Sequence, residues 1–80
     1  MPTIFTERGY RFHFYASDRD EPIHVHVEGH GGDMKVWLEP QIAVAWAVGF
    51  PSKRQREVLD LVRSHQQRIR EKWHEFFSKS

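Results

Sequence analysis

Eighty residues leave room for one hydrophobic core and not for a second. Cysteine is absent, which excludes a disulfide framework, and no stretch approaches the ~20 consecutive apolar residues that span a bilayer. Net charge is +1, but Lys and Arg number four against seven acids over residues 1–50 and eight against four over 51–80. A tail of that sign fits an acidic partner or nucleic acid, and equally a solvated helix face. With no basic leader followed by an apolar run at the N-terminus, the expected setting is the cytoplasm.

Thr3 to Glu7 is short, β-branched and aromatic. A tight turn at Glu7–Tyr10, with Gly9 at the position most tolerant of positive φ, leads into Arg11-Phe12-His13-Phe14-Tyr15. Phe12 and Phe14 share one face of that strand, and Arg11, His13 and Tyr15 the other. Ala16 to Pro22 reads as a polar loop.

His24-Val25-His26-Val27-Glu28 then alternates without a break, so Val25 and Val27 face one way and two imidazoles with a carboxylate the other. Three glycines in Gly29-His30-Gly31-Gly32 make a hairpin connection. Met34 to Leu38 resumes the alternation, with Met34, Val36 and Leu38 opposite Lys35, Trp37 and Glu39. In the segment 42–48, Ile42, Val44, Trp46 and Val48 alternate with alanines as in a strand, while the alanines and nearby prolines also fit a short helix.

Ser52 with Gln55 three residues on has the form of a capping box. Val58, Val62, His65, Ile69, Trp73 and Phe76 follow at helical spacing and form one apolar stripe. His65 within the stripe is expected at the core or its edge with a hydrogen-bonded partner. Trp46, Trp73, Phe76 and Phe77 are expected in the core, and His74 on the helix surface.

These elements predict one α+β domain over residues 1–80. It has two layers: a four- to five-stranded, mainly antiparallel sheet over 3–48, and one long C-terminal helix over 52–77 packed on one sheet face. The helix covers Phe12, Phe14, Val25, Val27, Val36 and Leu38. An uncovered face then carries Arg11, His13, Tyr15, His24, His26, Glu28, Lys35, Trp37 and Glu39.

Three uses of that face follow from its chemistry. His24, His26 and Glu28 could hold a divalent transition metal such as zinc, because neutral imidazole and carboxylate suit such ions. His24 and His26 could instead be catalytic acid/base groups of a ribonuclease or other hydrolase, with Arg11 or Lys35 on phosphate and Tyr15 or Trp37 stacking on bases. Or the face could dock a partner protein or a second copy of the chain, through Arg11, Tyr15, Lys35 and Trp37. Lys53, Arg54 and Arg56 at the start of the helix add a place for RNA or DNA.

Met-Pro-Thr-Ile-Phe, Gly-Tyr-Arg-Phe-x-Phe-Tyr-x-Ser-Asp, Glu-Pro-x-His-Val-His-Val-Glu and Lys-Val-Trp-Leu-Glu-Pro together resemble a small bacterial family, domain of unknown function 4160. The resemblance covers nearly the whole chain and runs on through Gly49, Phe50, Val62, His65 and Trp73. It implies a small cytoplasmic module of toxin–antitoxin type, since genes of such members often sit beside a second small gene in pairs read that way. It carries no catalytic residues over. Ile23, where relatives often have proline, leaves the histidine alternation intact.

Overall fold

In the computed structural model, which describes residues 3–78, five strands precede one helix. The strands β1 (Thr3–Glu7), β2 (Tyr10–His13), β3 (His24–Gly29), β4 (Gly32–Trp37) and β5 (Ala43–Val48) form a single sheet in chain order. Every neighbouring pair is antiparallel. The helix α1 spans Ser52–Phe77. This is the two-layer α+β arrangement expected, with five strands, the larger of the two numbers expected. Met1 and Pro2, which open the family-like stretch, lie outside the described residues.

Two tight turns set the meander. Arg8 and Gly9 (φ 55° and 82°) join β1 to β2, and His30 and Gly31 (φ 51° and 82°) join β3 to β4. Two successive residues at positive φ make the turn whose twist matches that of paired strands, and glycine reaches the second position without strain. Each turn fixes its register: Glu7 faces Tyr10, and Gly29 faces Gly32.

Period-two alternation then sorts the side chains. Phe12, Val27 and Met34 line up across three strands, as do Val25 and Val36, and all five are buried. From the helix, Val58, Leu61, Val62, Ile69 and Trp73 cover them. Polar bonds pin the helix at both ends. The Tyr10 hydroxyl donates to Glu57 (2.6 Å), and Arg70 donates to the Leu38 carbonyl (3.2 Å) beside its ion pair with Glu39. His65 sits at the core edge as expected, against Phe5, with its Nε2 2.9 Å from the Glu7 carboxylate. His74 is exposed.

Two sequence expectations fail here. Ser52 is already helical, and the N-cap is Pro51, with no side-chain cap. Proline lacks the N–H that the returning half of a capping box needs, so Gln55 donates its side-chain amide to the Phe50 carbonyl instead (2.8 Å). Trp46, expected in the core, is 44% exposed. A bulge shifts the β4–β5 register so that Val36 faces Val44 but Lys35 faces Trp46. One extra residue reverses the alternation, leaving Val44 and Ala47 against the core and sending Trp46 and Val48 to the other face.

Ile69 is wholly buried between helix and sheet, whereas His74 touches solvent. Ile69→Ala is expected to lower the unfolding free energy by roughly 2–5 kcal/mol, and His74→Ala to change it by less than about 0.5 kcal/mol. Urea denaturation followed by circular dichroism measures both.

Candidate functional site

The sheet face away from the helix is not bare. A 3₁₀ turn (Ala16–Asp20) follows Tyr15 and is closed by its own bonds: the Asp18 amide donates to the Tyr15 carbonyl (3.0 Å), and the Tyr15 amide donates to Asp18 Oδ2 (2.8 Å). An aspartate bonding the backbone three residues before it is a common way to stabilise a turn of this kind. The result buries Asp18 and turns its carboxylate onto β3.

There it meets both histidines of the alternating motif. His24 Nε2 lies 3.1 Å from Asp18 Oδ1, and His26 Nε2 lies 3.2 Å from Oδ2 and 3.3 Å from Oδ1. The ring of His24 is wholly buried, packed beside Trp37 at 5.4 Å and Trp73 at 5.2 Å. Its Nδ1 donates to the Pro22 carbonyl (2.9 Å), which can only accept. His26 retains slight contact with solvent and stacks on His13 at 5.7 Å. His13 itself is 1% exposed, and neither of its ring nitrogens has a hydrogen-bond partner.

Burial sets the charge states. Loss of water lowers the pKa of His26, and the opposing pull of Asp18 does not cancel it. Burial also lowers that of His13, helped by the Arg11 charge, so both rings favour the neutral form. For Asp18, burial alone would raise the pKa. The Tyr15 amide and the two imidazoles outweigh it and hold the carboxyl below its ordinary value.

Beside this cluster runs a groove of about 380 Å³ lined by His13, Tyr15, His26, Asp33, Met34, Trp46 and Val48. Tyr15 packs edge-on against His26 at 4.5 Å, and Trp46 lies 6.3 Å from the same ring.

The expected site residues fall into separate groups. His24 and His26 come together, but with Asp18. Glu28 instead pairs with Arg11 (2.6 Å to Nε), and Arg11 also donates to Thr3. Lys35 pairs with Glu21 (2.6 Å) and lies over the half-buried Trp37 ring at 4.4 Å. Of the residues expected to dock a partner from this face, Tyr15 alone lines the groove.

Lys53, Arg54 and Arg56 line a shallow depression with Pro51, Glu57 and Asp60 at the start of α1, on the covered side of the sheet. The basic helix and the sheet face are therefore two surfaces, not one. The expectation that His13 and His24 look outward fails: the 3₁₀ turn, Trp37 and Trp73 enclose His24, and His13 is buried against Tyr15 and His26.

Asp18 and Trp46 are the participants that pattern reading missed. Asp18 had two signals: an aspartate placed to bond backward within a polar segment after a strand, and its place at the end of the family-like Gly-Tyr-Arg-Phe-x-Phe-Tyr-x-Ser-Asp run. Trp46 had none, since a bulge leaves no mark in an alternating apolar run.

A family model for Domain of unknown function (DUF4160) matches residues 9–74. No curated protein and no solved structure matches the chain.

The lowered values give a sign for the pH dependence. The fold denies His13 and His26 protons that the unfolded chain accepts, so stability is complete above 6.5, the ordinary histidine value. It is expected to decline as pH falls below that, and again below 3.8, the ordinary value for Asp18. His13→Leu removes two unpaired buried nitrogens; it should raise stability by about 1 kcal/mol at neutral pH and flatten the first decline. Thermal unfolding from pH 8 to pH 3 tests this.

Proposed function

We propose that this chain, which belongs to the DUF4160 family, is a small cytoplasmic binding module of toxin–antitoxin type whose partner is a protein seated in the groove of the uncovered sheet face. One observation carries the reading. Among the described residues, the exposed large apolar side chains are Tyr15 (40%), Trp46 (44%) and Val48 (66%), and all three line that groove. Exposed apolar surface gathered at one concave place is the usual mark of a docking site, and aromatic rings dominate the energetics of such sites.

The charges support a protein over a nucleic acid on this face. Arg11 and Lys35 are both paired with carboxylates, and the groove's two imidazoles favour the neutral form. A phosphate backbone would meet little net positive charge there. Lys53 and Arg56 are exposed on the other side, so nucleic acid would engage a separate surface. No described helix is long and apolar enough to cross a membrane.

A hydrolytic reading retains one specific support. His26 lines the groove and favours its neutral form, as a general base near neutral pH requires. His24 is wholly buried, so it would act only through its neighbours.

The partner is sought by co-purification from the native host with tagged wild type, Trp46→Ala and Tyr15→Ala. Each substitution is expected to weaken a recovered complex by about 2 kcal/mol, near 30-fold in Kd. A complex indifferent to both would overturn the docking reading. Retention of nucleic acid that falls steeply with salt and needs Lys53 and Arg56 would move the function to the helix. Cleavage of a single-stranded RNA lost in His26→Ala would favour the hydrolase.

A further inference from the structure

We infer that Asp18, His24 and His26 form a binding site for a divalent transition metal of the zinc type. Because the Pro22 carbonyl can only accept, Nδ1 of His24 carries a proton, and in the neutral form of the ring the lone pair is at Nε2. That nitrogen is buried and has no hydrogen-bond partner. Its near neighbour is Asp18 Oδ1, at 3.1 Å. Two buried lone-pair atoms at that distance repel unless positive charge lies close to both.

The manner of approach identifies the charge. At 3.1 Å the pair is close enough for a hydrogen bond but lacks the alignment of one. Two ligands of a shared ion behave this way, since each points at the ion and not at the other. For bonds of about 2.1 Å in a tetrahedron, neighbouring donor atoms stand roughly 3.4 Å apart. His24 Nε2 and His26 Nε2 stand 3.1 and 3.2 Å from the oxygens of Asp18, and one donor atom from each of the three residues falls within 4.8 Å of the others. His26 Nε2 is hydrogen-bonded to Asp18 Oδ1 (3.3 Å), and a metal at that nitrogen takes the place of that bond.

The outer contacts fit the same role. A metal-bound imidazole commonly gives its second N–H to a carbonyl, as His24 does to Pro22, and a ligating carboxylate is commonly held by a further donor, as Asp18 is by the Tyr15 amide. Two imidazoles and one carboxylate without thiolate suit zinc, nickel or copper, and suit magnesium or calcium poorly. Three protein ligands leave one position for water. The inference does not require the groove to have a partner.

The full-length protein, stripped with chelator and titrated with zinc chloride by calorimetry, is expected to take up one equivalent. Asp18→Asn and His26→Gln should abolish that step, and Glu28→Gln should leave it unchanged, since Glu28 is paired with Arg11. A second readout avoids any variant that folds poorly. In the wild type, zinc should shift the imidazole resonances of His24 and His26 and leave the exposed His74 unmoved. No stoichiometric uptake by the wild type would overturn the inference. So would uptake that persists in folded His26→Gln, or one that moves the His30 and His74 resonances in place of His24 and His26.

Discussion

One helix cannot cover two faces of a sheet, and that constraint governs the rest of this structure. Five strands in simple succession form a sheet with two broad sides, and the chain supplies a single apolar helix to bury one of them. The buried side is conventional: aliphatic and aromatic rows on β2, β3 and β4 meet the stripe of α1. The second side is finished with short means. At one end a five-residue 3₁₀ turn folds over the strands and tucks a carboxylate against two imidazoles, while at the other the sheet opens into a groove.

How much of this could be read beforehand follows from where the physics is local. The alternation of β3 and β4 told truly which side chains share a face, because hairpin turns of two residues fix register and the period of a strand is two. The helix was legible from its stripe, down to His65 at the core edge. What failed depended on contacts that spacing does not encode. A bulge opposite Lys35 and Val36 divides an apolar run that looks uniform. The carboxylate that lies beside the two imidazoles is that of Asp18 and not Glu28, since Arg11 lies directly across the strand from Glu28 and takes its charge. The burial of His24 and the near-burial of His26 come from a polar segment that folds back over β3, a contact its own spacing does not encode.

The energetics of the two sides differ in kind. Fully burying a Val, Ile or Phe side chain contributes about 1.5–3 kcal/mol, and the helix side holds many. On the opposite side, an imidazole nitrogen buried without a partner costs about 1–3 kcal/mol, and His13 has two such nitrogens and His24 one. Those groups do not hold the fold together. They are borne by it, and structures that break a rule of burial at a particular place commonly do so where they act on something else.

His26 links the two features of that side. Its Nε2 faces Asp18, while its ring forms part of the groove wall between Tyr15 and Trp46. Burial already favours its neutral form. A partner seated over Tyr15 and Trp46 would take away the water still reaching the ring, and desolvation acts in the same direction. A metal ion at Nε2 also requires the neutral ring. Docking in the groove and ligation beside Asp18 therefore place the same demand on one side chain, and neither works against the other.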